Sequence, residues 1–446
     1  MKTKPMNSIR VVILGGGPAG CTVALGLKRL GYRVTLITAA RPFDAIEGIS
    51  ERVINSLQAV GFRRALATIA APSPRQVTWN GVTSAANTER LIPRAPFDRA
   101  MLDDLRDNGV TVINGRIGQY QKQARSYSVQ VVTDAGEAMA VSGEFLVEAR
   151  GRAAPAAAIV RVRSDETVSL LQRWQGPPLE ARSAVESCPD GWAWMASMPD
   201  GQRYLQLTLD VASAGLPAKS QLSDWCRRRF EALEQARPFL QQAEPVGIHA
   251  RACTQILCQE LVGDNWIRVG DAAMAVDPLS GNGIFQSMSS ALQTPAVINT
   301  LIQTPERAAL AKDFYQQRVE GLFYRFARTG RDFCRQEQQW PDRAFWAKRC
   351  DWPDNQPLHR TVTPDQVQIE RRPVIENSTI RAAWVATTPD QPLGIWHIDG
   401  VELAPLIERL RISPQPAVDT LRGLFQPEQA QRLIGALGNL GMIAVS

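Results

Sequence analysis

Lysine is scarce: the 446-residue chain holds 50 lysines and arginines, of which only Lys2, Lys4, Lys28, Lys122, Lys219, Lys312 and Lys348 are lysine. Histidine is scarcer, with His249, His359 and His397 alone, and that excludes a metal centre built on imidazoles. The cysteines (21, 188, 226, 253, 258, 334 and 350) are scattered without a C-x-x-C, and the close pair Cys253 and Cys258 has no companion pair to complete a zinc site. Reduced thiols in a cytoplasmic protein are the simple reading, and no bound metal is expected. Long runs of like charge are missing too. The net charge of +6 is spread along the chain, so nucleic acid is not the expected partner. No uncharged apolar stretch reads as a membrane span of about 18 residues.

What is present is a core-forming composition, 44% hydrophobic and 21% charged, which excludes wholesale disorder. At roughly 150 residues per domain, the length predicts about three domains. Lys2, Lys4 and Arg10 followed by uncharged residues from Val11 to Leu27 superficially resemble an export signal. Gly15-Gly16-Gly17-Pro18 interrupts that stretch where an apolar segment would be needed, so no export signal is expected.

The glycines have a better explanation. Ile9 to Leu14 reads as a buried strand, Cys21 to Leu30 as a helix, and Arg33 to Ile37 as a second strand. Between strand and helix lies Gly15-Gly16-Gly17-Pro18-Ala19-Gly20, a G-x-G-x-x-G inside a β-α-β unit. Gly15 permits the tight turn, Gly17 lets a pyrophosphate approach the backbone, and Gly20 lets helix pack on strand. The helix N-terminus favours the phosphate charge. Ala24 and Gly31 continue a spacing known from FAD-binding proteins. One feature of such sites is missing: the second strand ends Thr38-Ala39-Ala40-Arg41, with no carboxylate for the adenosine ribose. Thr38 is placed to bond the ribose and Arg41 to reach its phosphate side, and retention of FAD is expected to be weak.

Trp266 to Val269 reads as another strand, followed by Gly270-Asp271-Ala272-Ala273, then Asp277-Pro278-Leu279-Ser280-Gly281-Asn282-Gly283-Ile284, then a helix from Phe285 to Ile298. At this point the sequence resembles the flavoprotein monooxygenases of the para-hydroxybenzoate hydroxylase type and their tryptophan-halogenase relatives. The resemblance implies bound FAD, with Asp271 on the ribitol hydroxyls. It also implies that Pro278, Gly281, Asn282, Gly283 and Ile284 start a helix aimed at the pyrimidine end of the isoalloxazine, where a helix terminus stabilises negative charge. Ile92 to Arg99, with Arg94, resembles the family's arginine-plus-F-D segment. Phe145 to Arg152, with Ala149 and Gly151, resembles the turn that closes over FAD, and Glu47-Gly48-Ile49-Ser50 sits where relatives place a loop beside the flavin. The resemblance spans about residues 9 to 330.

It implies an α/β fold: a Rossmann-like FAD-binding domain of the glutathione reductase type (1–75, 95–160 and 250–330) and an antiparallel-sheet substrate domain (76–94 and 161–249). Gln76 to Thr83, Tyr127 to Thr133, Trp192 to Ser197 and Tyr204 to Asp210 alternate like exposed sheet and are expected over the flavin. Trp192 and Trp194, at i and i+2, point to one face and could wall a substrate pocket, or simply pack. Phe333 to Trp352 reads as an amphipathic helix and connector. Then Val374 to Val385 and Gly394 to Ile398 read as strands before three helices. Residues 331–446 therefore resemble a small winged-helix-like domain, too weakly basic in its last helix for DNA.

Halogenases place a lysine in the early part of the FAD half. None lies between Lys28 and Lys122, and Arg75 and Arg90 have too high a pKa to replace it as a proton donor. The resemblance therefore implies aromatic hydroxylation through a flavin C4a-hydroperoxide, using O2 and electrons from NAD(P)H or a small flavin reductase. No second G-x-G-x-x-G is visible for a nicotinamide. Glu47 is the candidate catalytic base, with His249 behind it. Among such enzymes the chain looks most like the flavoprotein maturases that hydroxylate a peptidyl tryptophan during cysteine tryptophylquinone formation, whose substrate is a subunit of an amine oxidase or dehydrogenase. The alternatives are a small-molecule aromatic hydroxylase, a halogenase, a flavin reductase of isoprenoid double bonds, and a non-catalytic flavin-bearing escort.

Overall fold

A computed structural model describes residues 8–155, 159–281 and 283–444, so Asn282 lies outside the described residues. The chain divides into two compact units, Met1–Pro295 with Val319–Asn355, and Ala296–Arg318 with Gln356–Ser446.

The first unit holds two large sheets. The seven-stranded sheet runs Trp266–Arg268, Phe145–Glu148, Arg10–Leu14, Arg33–Thr38, Thr111–Lys122, Tyr127–Thr133, Ala138–Gly143. Its first five strands are parallel, with Leu14 in register with both Ile37 and Glu148. The strand Arg10–Leu14 is buried along Val11 to Leu14, which is why it reads as a continuous apolar run rather than an alternating one. Tyr127–Thr133 pairs antiparallel at the far side of this sheet, not in the substrate sheet expected from its alternation. Tyr127, Val129 and Val131 are buried against Val12, Leu14 and Ile37. A period of two reveals one buried face but not which sheet owns it.

The eight-stranded sheet runs Glu244–Ala252, Thr167–Gln175, Gln202–Asp210, Gly191–Ser197, Arg182–Cys188, Ser73–Trp79, Val82–Pro93, Ile46–Ile49. It is antiparallel except where Arg182–Cys188 meets Ser73–Trp79. Its strands are not the exposed sheet that alternation suggests: in Gln202–Asp210 every residue after Gln202 is buried. Leu205, Leu207 and Leu209 pack on Cys226, Phe230 and Phe239 behind the sheet, while the opposite row, Gln206 and Thr208, is covered as well. Ile46–Ile49 is likewise an edge strand rather than a loop, with Gly48 opposite Leu91.

Residues 331–355, placed by sequence with the C-terminal module, belong to the first unit. The reason is aromatic: Phe345 and Trp346 are buried with Val185 and Trp192 of the eight-stranded sheet, and the Trp346 indole N–H donates to the Cys188 carbonyl at 3.0 Å. In the second unit, Gln368–Glu376 and Thr379–Thr387 form an antiparallel hairpin. The single strand expected from Val374 to Val385 is broken at Asn377 and Ser378, whose φ values are 48° and 58°. No glycine or proline announces that turn. Three helices, Leu403–Ile412, Ala417–Leu424 and Pro427–Asn439, follow and share a core of Leu406, Ile407, Leu421, Ile434 and Leu437. Among the described residues no helix is long and apolar enough to cross a membrane.

Candidate functional site

The glycine loop leaves the C-terminal end of Arg10–Leu14 and enters the helix Pro18–Arg29. Gly15 has φ 113°, and a Cβ there would stand 2.4 Å from the Ala149 carbonyl oxygen. A Cβ on Gly20 would meet the Gly15 carbonyl oxygen at 2.0 Å. Gly17 is different: a Cβ there would meet no atom within 4 Å, so space is kept open rather than filled by packing. The helix that starts here has Pro18 in its first turn, no acidic residue there, and no side-chain cap from Gly17. Its amide groups and dipole are free for an anion. These features fit a pyrophosphate.

Thr38 ends the second strand, but its Oγ1 accepts the Gly16 N–H at 3.1 Å. The hydroxyl is engaged in holding the loop. Arg41 lies 3.4 Å from the Asp98 carboxylate, and Arg94 donates to Asp98 at 2.8 Å and to Glu47 at 2.6 Å. Arg94 is 5% exposed and Arg41, Asp98 and Glu47 are half-buried, so this Arg41–Asp98–Arg94–Glu47 chain is a partly buried ion-pair network centred on Arg94 that joins the nucleotide half to the edge strand. Burial would raise the Glu47 carboxyl, yet Arg94, Arg41 and Arg251 together hold it below the ordinary glutamate range. Such a carboxylate is a weaker base than an ordinary glutamate, and one of its oxygens is engaged by Arg94. His249 stacks on Phe43 with ring centroids 5.1 Å apart.

On the other side, Gly151 has φ 60° and Asp271 lies under it, 3.8 Å from where a Gly151 Cβ would be. Arg152 Nε sits 3.6 Å from the Asp271 carboxylate and Ser287 Oγ donates to it at 3.5 Å. Burial raises the pKa of Asp271 despite Arg152. Both contacts are long, so the carboxylate keeps acceptor capacity for hydroxyl donors. Asp277 caps the short turn Pro278–Ser280 by accepting the Leu279 N–H at 2.9 Å. Gly281, at φ 61°, and Gly283 have nothing near their Cβ positions, and the helix Gly283–Gln303 with Ile284 begins there.

One face of the eight-stranded sheet carries Trp192 and Trp194 in line with Thr208 and Gln206 of the next strand. The two indoles divide. Trp192, 2% exposed, packs into the cluster of Phe345, Trp346 and Leu279, while half-buried Trp194 donates its N–H to Glu89 at 3.4 Å. Arg251 donates to Gln206 at 3.0 Å and lies over the Phe43 ring. Of the two arginines weighed in place of a lysine, Arg90 turns outward to Glu51 and the Ala70 carbonyl, while Arg75 stands beside Glu89. Sequence reasoning missed Glu89 and Arg251. The available signal was Glu89 itself, a charge two residues before Leu91 and therefore on the same face as an apolar core position.

The sequence model described as FAD binding domain matches residues 8–294. Among solved structures, the chain is similar to the peptidyl tryptophan dihydroxylase QhpG, essential for tryptophylquinone cofactor biogenesis. The two are 48% identical with a TM-score of 0.83, over 98% of this chain and 100% of that one. Among curated proteins, it is 26% identical to tryptophan 2-halogenase of Chondromyces crocatus, over 72% of this chain and 67% of that protein. It is also 26% identical to the putative FAD-dependent oxidoreductase LodB of Marinomonas mediterranea, over 77% of this chain and 97% of that protein.

Proposed function

This chain belongs to the FAD binding domain family and is an FAD-dependent monooxygenase that hydroxylates an aromatic ring; from that premise we propose that the ring is a tryptophan of a partner protein, oxygenated during assembly of a tryptophylquinone cofactor. The observation that carries the reading is the 48% identity to a peptidyl tryptophan dihydroxylase, sustained over 98% of the chain. The partner would be an unmodified subunit of a quinone-containing amine oxidase or dehydrogenase, and the electron donor NAD(P)H or a small flavin reductase.

Once reduced by that donor, bound FAD would pass the electrons on to O2. The loop Gly15 to Gly20, with Pro18 and Ala19, would hold its pyrophosphate at the open backbone of Gly17 and the helix N-terminus. Thr38 fixes that loop, while Arg41, Arg94 and Glu47 are tied to one another through Asp98. Asp271 would receive the ribitol hydroxyls, with Ala149 and Gly151 beside it. Pro278, Gly281, Gly283 and Ile284 would present a helix start to the ring system, with Gly48 on the neighbouring edge strand. Trp194 walls the substrate side. Halogenation is disfavoured because no strand of the eight-stranded sheet carries a lysine, and Lys348, the one described lysine that meets this sheet face, is paired with Asp210 and Asp165.

The test is to incubate the flavin-loaded protein with the unmodified partner subunit, a reductant and 18O2. The expected result is 18O gained on one partner tryptophan. Turnover of free indoles or phenols with no gain on the partner would favour the small-molecule hydroxylase, and tight binding with no oxygen gain would favour the escort.

A further inference from the structure

Glu89 is a carboxylate buried to 8% exposure that the nucleotide-binding residues do not use. Its contacts are loose: Trp194 Nε1 at 3.4 Å from one oxygen and Arg75 Nη1 at 3.9 Å from the other. An ionised carboxylate offers about four acceptor positions, and a buried one left short of donors is costly. Its surroundings are short of partners as well. Arg75 Nε and Ser183 Oγ are buried without any, and Ser183 and Arg75 face each other across neighbouring strands. Gly48 opposes this group: a Cβ there would lie 2.0 Å from Glu89 Oε2, so the glycine leaves room for the carboxylate. Unsatisfied buried polar groups gathered on one sheet face call for a ligand.

We propose that Glu89 receives the indole N–H of the substrate, holding the ring against Trp194; this assignment rests on the tryptophan reading above. The chemistry selects the ligand. An indole has a single polar atom, an N–H donor, and an acceptor-only carboxylate beside the Trp194 ring matches it. Accepting that hydrogen bond also pushes electron density into the ring that must attack an electrophilic oxygen. No proton need leave for the ring to be oriented.

The test compares binding of N-acetyl-tryptophanamide and its N1-methyl derivative to the flavin-loaded protein by calorimetry. The wild type should bind the methylated compound roughly 10-fold more weakly or worse, the worth of a hydrogen bond to a charged group. Glu89→Leu, which removes the acceptor, should bind both nearly alike with unchanged flavin content, and Glu89→Gln, whose amide oxygen still accepts, should keep part of the discrimination. Equal binding of the two compounds by the wild type overturns the assignment even if Glu89→Leu does not fold. Full discrimination retained in Glu89→Leu overturns it too, and so does failure of the wild type to bind either compound at millimolar concentration. Oxygen gain on the partner is scored separately, so loss of this assignment leaves the tryptophan reading to stand or fall on its own.

Discussion

Arg94 donates to Glu47 at 2.6 Å across the 47 residues that separate them, and the same guanidinium holds Asp98 at 2.8 Å. One nearly buried cation thus compensates two carboxylates. Arg94→Met removes it and leaves both acids with only Arg41 and Arg251 nearby. Breaking a buried pair from one side costs about 3–5 kcal/mol. The expected outcome is a lowered urea midpoint together with weaker FAD retention, read by denaturation and by flavin absorbance after dialysis.

The same pair sets an acid limb. The folded-state pKa of Glu47 lies below its ordinary value of 4.5, so its stabilisation is complete above 4.5 and is lost as pH falls through the lower folded value. Glu47→Gln should therefore cost about 1–3 kcal/mol at pH 7. That deficit should shrink as the pH is taken well below 4.5. Urea midpoints of the two proteins across the pH range check this, and a constant deficit would contradict it.

Gly15 and Gly17 separate fold from binding. Gly17→Val adds a side chain where the structure has open space, so thermal stability of the flavin-free protein should hardly change while FAD binding is abolished. Gly15→Ala instead forces a Cβ to 2.4 Å from the Ala149 carbonyl at φ 113°. It should lose about 1–3 kcal/mol of stability even without flavin. Differential scanning calorimetry of the apo forms distinguishes the two.

Local motifs were legible because their chemistry is written in short spacing. The β-α-β unit around Gly15 to Gly20 and the turns from Gly270 to Gly281 fall where the glycines and Asp271 place them. What escaped depends on partners remote in sequence. The alternation of Tyr127–Thr133 gives no hint that it joins the nucleotide sheet, and Trp346 reveals nothing of the Cys188 carbonyl 158 residues away. Glu47 looked like a base because of its place beside the expected flavin. Only the convergence of Arg94, Arg41 and Arg251 shows why its basicity is low. Glu89 was hidden for the same reason: its burial is created by Gly48 and Trp194, on other strands.

Thr38 stands where a ribose-binding carboxylate is expected, yet spends its hydroxyl on the Gly16 amide at 3.1 Å. Thr38→Ala should loosen the loop and speed FAD release, seen as faster recovery of flavin fluorescence on dilution. Thr38→Ser keeps an oxygen at Cβ and should release FAD at close to the wild-type rate. If alanine and serine behave alike, the hydroxyl is not what secures the loop.

Trp346 has no exposed surface and packs edge-on against both Trp79 and Phe345, at 5.4 and 5.0 Å between ring centroids. It is also what ties the helix Ala344–Arg349 to the sheet, through Trp192 and the Cys188 carbonyl. Trp346→Ala should therefore lose about 3–5 kcal/mol from the cavity and the orphaned carbonyl. Because Trp192 leans on that ring and Leu279 lies in the same cluster, the damage should reach the substrate face. A variant that still folds should keep most of its flavin, since the cluster reaches the flavin-side turn only through Leu279 and none of it touches the glycine loop. Its oxygen transfer to the partner should fall more than its FAD content. Trp346→Phe, which preserves an aromatic plate but not the N–H, should recover most of the stability. Equal loss of FAD and of turnover in Trp346→Ala would show instead that the cluster supports the nucleotide half as a whole.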